Sequence, residues 1–158
     1  MAAQFIGTSM TRGFAGELTR GYYDATTEVK ANDATTPVVG FGVPVKLNTN
    51  ADGVTPCSAT ADAVYGFAVR EYGQAVPKIR SSALVDEQDQ ALVTVMKRGY
   101  MAVKLASGTA KLGGTVYLNA TGGLTADAGS APANTAIPNC IFMGAADSDG
   151  LVEIAFNI

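Results

Sequence analysis

Val45-Lys46-Leu47-Asn48 followed by Asp52-Gly53-Val54-Thr55 is answered about seventy residues on by Val116-Tyr117-Leu118-Asn119 followed by Gly122-Gly123-Leu124-Thr125. Each copy then crosses a small, polar stretch into an apolar segment built around Gly and Ala. These segments are Val64-Tyr65-Gly66-Phe67-Ala68-Val69 and Ile141-Phe142-Met143-Gly144-Ala145-Ala146. The repeat, approximately 41–72 and 113–146, describes a strand, a Gly-centred turn and a returning strand used twice to close one sheet system. Neither copy carries a chemically reactive group, so the repeat is architectural.

Composition points the same way. Twenty-six Ala and 15 Val stand against 9 Leu, with 18 Gly, a bias that suits turn-rich pleated sheets better than packed helices. At 158 residues and 47% hydrophobic content, the chain can bury one core and hardly two. The expected fold is mainly β: a small β-barrel or sandwich body over 37–158 with an extended N-terminal arm over 1–36.

Strand signals dominate the body. Phe41 to Leu47 and Val64 to Glu71 read as strands, and Ala91 to Arg98 alternates up to Gly99-Tyr100. Beyond that point Met101, Val103 and Leu105 share one face and Ala102 and Lys104 the other, so a hairpin or a sharply bent strand is expected. Thr115 to Asn119 and Ile141 to Met143 continue the sheet. The last strand, Leu151 to Ile158, should turn Val152, Ile154, Phe156 and Ile158 inward and Glu153 and Asn157 outward. Loops are expected over 86–90 and 126–139.

Residues 1–36 read differently. They are poor in aliphatics and rich in Gly, Thr, Ala and Asp, with an internal echo of Thr11-Arg12-Gly13-Phe14 in Thr19-Arg20-Gly21-Tyr22. Such a stretch buries too little apolar surface to offset its own ordering entropy. It should therefore order on a neighbour, with Phe5, Arg12, Phe14, Arg20, Tyr22 and Tyr23 as contact anchors, since aromatic and Arg side chains most often dominate interfaces.

Chemistry is sparse. There is no histidine, which removes His-based acid, base and ligand roles, and two cysteines cannot assemble a zinc site. Asn48 to Gly53 imitates the front of a calcium loop, but its twelfth position is Ala59, and the favoured reading is a polar Asp-Gly hairpin turn. Asp147-Ser148-Asp149-Gly150 reads alike. Gly113-Gly114 and Gly122-Gly123 have no following helix and read as turn glycines rather than phosphate loops. Lys97, Arg98, Lys104 and Lys111 make the second half locally basic and should be largely solvated. Asp86 and Glu87 are adjacent in a loop and point apart. No catalytic residue, cofactor or metal is expected, and the chain is not read as an enzyme.

A net charge of −3 and a pI near 4.8 give no footprint for nucleic acid, whose affinity rests on neutralised phosphates. No apolar run approaches the roughly 20 residues of a membrane span, and no leader stands at Met1, so synthesis in a host cytoplasm is expected. Cys57 and Cys140 fall in what read as corresponding linkers and could be neighbours. In a reducing compartment two buried thiols are the favoured reading over a disulfide.

The run Gly114-Thr115-Val116-Tyr117-Leu118-Asn119, then Gly123-Leu124-Thr125, then residues 138–146, then Gly150-Leu151-Val152-Glu153-Ile154-Ala155-Phe156-Asn157 is similar to the C-terminal half of small tailed-phage capsid decoration, or structural cement, proteins. Gly16-Glu17-Leu18-Thr19-Arg20-Gly21, Phe41-Gly42-Val43-Pro44-Val45 and Gly66-Phe67-Ala68-Val69-Arg70 resemble the arm and first barrel half of that family. The resemblance implies a non-enzymatic virion protein on the outer capsid surface, bound to the major capsid protein at junctions between capsomers. Junction symmetry further suggests a dimer or trimer. The alternative is a β-barrel or sandwich module for a glycan or host receptor, against which the absence of Trp weighs.

Overall fold

The computed structural model describes residues 13–70, 92–130 and 133–158. Among these there is no α-helix, only a short 3-10 turn at Tyr22–Asp24. The strands are β1 (Thr26–Asn32), β2 (Pro44–Leu47), β3 (Gly53–Pro56), β4 (Gly66–Ala68), β5 (Leu92–Ser107), β6 (Thr115–Leu118), β7 (Leu124–Thr125), β8 (Thr135–Phe142) and β9 (Leu151–Phe156).

The repeat seen in the sequence is the hairpin β2–β3 with β4 alongside β2, and again the hairpin β6–β7 with β8 alongside β6. The same device makes both turns. The Asn48 side-chain oxygen accepts from the amides of Asp52 and Gly53, both at 3.2 Å, and the Asn119 oxygen accepts from those of Thr121 at 3.0 Å and Gly123 at 2.8 Å. An Asn that mimics the backbone in this way fixes a tight reversal, and so both repeats carry it at the same place.

The duplication extends further than the sequence motif. β1, β3, β2, β4 and the first half of β5 form one closed ring of pairings; the second half of β5, with β7, β6, β8 and β9, forms another. The wiring is the same, down to the parallel pairs β1–β3 and β5–β7. Thus β1 corresponds to the second half of β5, and the first half of β5 to β9. Matching registers align Leu92-Val93-Thr94-Val95 with Leu151-Val152-Glu153-Ile154, and the buried Val45, Val54, Ala68, Val93 and Val95 with Val116, Leu124, Phe142, Val152 and Ile154.

β5 is a bent strand of 16 residues rather than a hairpin, and it belongs to both rings. It passes from one ring's pairings to the other's at Gly99, whose φ of 141° lies in a region that side chains disfavour. One hydrophobic cluster spans both rings, with Phe67 and Met96 of the first packed against Phe156, Ile154 and Phe142 of the second. Val38, Val45, Val54, Ala68, Val93 and Val95 form a separate cluster in the first ring, so the chain carries two cores where its length suggested one. The Phe67 and Phe156 rings meet edge to face at 5.1 Å.

Several sequence expectations are corrected. β2 and β4 are shorter than the segments 41–47 and 64–71. The loop expected over 126–139 gives way to strand at Thr135, because Pro138 and Asn139 (φ 51°) form a bulge within β8 where its register with β6 shifts, rather than ending the strand. Cys140 lies in β8, not in a linker. Ile158 is 56% exposed, the ladder having ended at Phe156. Glu153 is only 9% exposed. The expected loop 86–90 lies outside the described residues.

The boundary at 36/37 does not coincide with the edge of the sheet. β1 pairs with β5 from Thr26↔Arg98 to Ala31↔Leu92. The strap before it, residues 14–20, runs antiparallel to β5 through Leu18↔Met101. Gly16 and Thr19 donate to the carbonyls of Ala102 and Tyr100 at 2.8 and 3.2 Å, and Ala102 donates to the Glu17 carbonyl at 2.9 Å. Backbone pairing, which composition does not report, supplies the order that a shortage of aliphatics argued against.

Candidate partner-binding surface

The sequence-derived anchors take different places. Arg20 is engaged within the chain: its Nε and Nη2 donate to the two Glu153 carboxylate oxygens at 3.2 and 3.4 Å, and its guanidinium stacks 3.8 Å from the centre of the Tyr100 ring. The Thr19 hydroxyl donates to the same carboxylate at 2.5 Å. The hydrogen bond from Arg20 to Glu153 raises the guanidinium's already high pKa, against an opposing effect of burial. This clasp explains why an outward-facing glutamate is covered.

Phe14 is 43% exposed and lies with Phe41 around the Arg70 guanidinium, which is 5.0 Å from each ring. Together with Val43, Lys104 and Leu151 these residues line an open groove of about 360 Å³. Gly16 and Gly42 allow the strap to close on that wall: a Cβ on Gly16 would stand 2.8 Å from the Gly42 nitrogen, and one on Gly42 2.7 Å from the Gly16 nitrogen. Tyr23 is fully exposed in the turn it shares with Tyr22. Phe5 and Arg12 lie outside the described residues.

A second surface is polar where its duplicate is apolar. Met101, Val103 and Phe156 fill the core of the second ring; the corresponding positions in the first are Glu28, Lys30 and Lys97. Lys97 Nζ lies 3.0 Å from the centre of the Tyr65 ring and donates to the Tyr65 carbonyl, while Lys30 Nζ is 3.3 Å from Glu28. Burial lowers the Lys97 pKa, an effect opposed by Glu28 and reinforced by Lys30. Sequence reading passed over Tyr65, Tyr100 and Arg70; an aromatic or an arginine at strand period gives no sign of the cation or ring across the sheet.

The turns that imitated calcium loops are occupied by their own hydrogen bonds. The Asn48 Nδ2 donates to Asp52 at 2.7 Å and Asp33 at 3.2 Å, and Asp147 accepts from the amides of Asp149 and Leu151 at 3.0 and 2.8 Å. Among the described residues no three Cys, Asp or Glu side chains group as metal ligands. Cys57 and Cys140 are free thiols, both buried; burial pushes Cys57 up to about 12 and Cys140 higher, so neither supplies thiolate near neutrality.

A family model described as structural cement protein (E217 gp24/Pam3 gp6) matches residues 2–157. A solved structure described as the capsid of Myoviridae phage XM1 contains a chain of similar fold, with TM-score 0.66 at 18% identity over 99% of this chain and 98% of that one. No curated protein sequence matches.

Proposed function

The chain belongs to the structural cement protein family, and from that premise we propose that it sits on the outside of an assembled phage capsid, at junctions between capsomers. Its role is that of a non-enzymatic structural protein that stabilises a phage capsid, and the observation that carries this is the family match across nearly the whole chain. The finer placement draws its support from the architecture. A body of two rings joined by a shared strand and a shared hydrophobic cluster is stiff enough to fill a junction, and many weak contacts repeated over a shell resist outward pressure by multivalency.

The N-terminal segment 1–9, with Phe5, and the exposed Phe14 and Tyr23 with neighbouring Tyr22 are assigned the contacts to the major capsid protein. Arg20 serves the strap instead, because its guanidinium is already paired with Glu153. Copies meet as dimers or trimers at the symmetric junctions.

Co-sedimentation with capsids lacking the protein tests the reading. The full chain is expected to bind in a fixed, saturable ratio, and removal of residues 1–9 to weaken binding at least tenfold, about 1.4 kcal/mol. Failure to bind such capsids, together with recovery on a glycan array, would transfer the protein to the glycan-module class. Undiminished binding by the truncated chain would move the contacts to the β-body.

A further inference from the structure

The duplication leaves one place unequal, and it lies along β1. In the parallel pair β1–β3, Asn32 is opposite Val54 and the Asp33 amide donates to the Val54 carbonyl at 3.0 Å. Odd-numbered residues of β1 therefore direct their N–H and C=O groups toward β3. That strand begins at Gly53, opposite Ala31. Thr27 and Val29 share the parity and lie beyond its end, so their backbone groups face outward along an open edge, with no partner among the described residues. Val29 is 59% exposed.

In the second ring the corresponding residues are Tyr100 and Ala102, and their edge is closed by the strap: Gly16, Glu17 and Thr19 bond to them, and Leu18 packs beside Met101 onto the core. The strap's sequence, Leu18-Thr19-Arg20-Gly21-Tyr22, has a twin eight residues earlier in Met10-Thr11-Arg12-Gly13-Phe14. An open edge of this kind adds a strand readily through main-chain hydrogen bonds.

We propose that the open edge of β1 at Thr27 and Val29 receives the N-terminal segment of a second copy of this chain, Met10-Thr11-Arg12 pairing antiparallel there as Leu18-Thr19-Arg20 pairs on β5. The chain's own segment is too short for this register. Phe14 is held near Ala102 by its turn with Glu17, where the Phe14 amide donates to Glu17 Oε2 and the Glu17 amide to the Phe14 carbonyl, both at 3.1 Å. The four residues from Met10 to Phe14 span at most about 14 Å. The target, Glu28, lies opposite Val95, seven residues from Ala102 along β5. That is about 23 Å of strand, and about 16 Å in a straight line even for a right-angle bend at Gly99.

Glu28 and Lys30 stand where the second ring has Met101 and Val103, so Met10 meets a polar end rather than the apolar core that receives Leu18. The exchange is accordingly weak between free copies and forms when copies are held at millimolar effective concentration. It rests on the capsid reading only for the setting that brings copies together, a lattice on which each arm links its owner to a neighbour.

The test is a disulfide in the full-length protein. Thr11→Cys and Thr27→Cys, directly opposite in the proposed register, are combined and oxidised at about 1 mM, the effective-concentration range of a short tether. The control pairs Thr11→Cys with Leu112→Cys in the second ring. The expected result is an intermolecular disulfide between the cysteines introduced at positions 11 and 27, identified by peptide mapping and at least tenfold above the control. Linkage within one chain, or no preference over the control, overturns the proposal. Because the measurement needs no capsid, it stands or falls separately from co-sedimentation.

Discussion

Phe156→Ala is the perturbation that most directly probes the hydrophobic cluster shared by the two rings. Phe156 is 4% exposed at the end of β9, and its ring meets Phe67 of the other ring system edge to face at 5.1 Å and 81°. Truncating a buried Phe costs about 3–5 kcal/mol in transfer and cavity terms, and an aromatic pair of this geometry accounts for about 0.5–1.5 kcal/mol beyond burial. With about 2–4 °C per kcal/mol for a chain of this size, the melting temperature should fall by roughly 10–15 °C. The drop should appear as one transition by far-UV and near-UV circular dichroism, because the lost contact belongs to both rings. Ile158→Ala, two residues on and exposed, should shift the midpoint by less than about 2 °C. Two separated transitions, or a Phe156→Ala loss below about 1 kcal/mol in urea titration, would refute the coupling of the two rings through the cluster they share.

Other substitutions test the turns, the strap and the titrating groups. Gly122→Ala would place a Cβ 1.8 Å from the Cys57 carbonyl oxygen at φ 79°, whereas Gly113→Ala, at φ 76°, meets nothing within 4 Å. The second should cost about 1–2 kcal/mol, the penalty of a left-handed side chain, and the first distinctly more by thermal denaturation. Arg20→Ala removes both guanidinium bonds to the covered Glu153 carboxylate; since Arg20 is partly exposed, a loss of about 1 kcal/mol is expected, with faster hydrogen exchange at the Thr19 amide. Asp33 sits below the usual carboxylate range through bonds from the Thr36 and Thr35 amides and Asn48. At Asp62 the upward effect of burial is outweighed by Lys46 and the Ser58 and Ala59 amides, so its carboxyl is lowered too. Depressed folded values contribute stability above about pH 4 that is lost as pH falls through them, so the melting temperature of Asp62→Asn should fall less steeply with decreasing pH in that window.

What the sequence by itself determined was local and periodic. The twin strand-turn-strand motifs, their polar Gly-containing turns, an interruption at Gly99 and the inward Val152, Ile154 and Phe156 could all be read, because a period of two and a tight turn are set by neighbouring residues; the Asn side chain that clamps each turn was not. The absence of histidine likewise bounded the chemistry from the start, and the resemblance to cement proteins followed motif order rather than any reactive group. What only the tertiary structure decided was which strand meets which. That β5 serves both rings, that the strap docks on it and covers Glu153, and that Glu28, Lys30 and Lys97 occupy core positions of the duplicate are choices of partner. Residues 1–36 looked too poor in aliphatics to order, yet in their described part, 13–36, backbone pairing supplies hydrogen bonds and Leu18 finds a core built by residues about eighty positions away. Pairing across such separations depends on the register of the whole sheet, which no window of sequence contains.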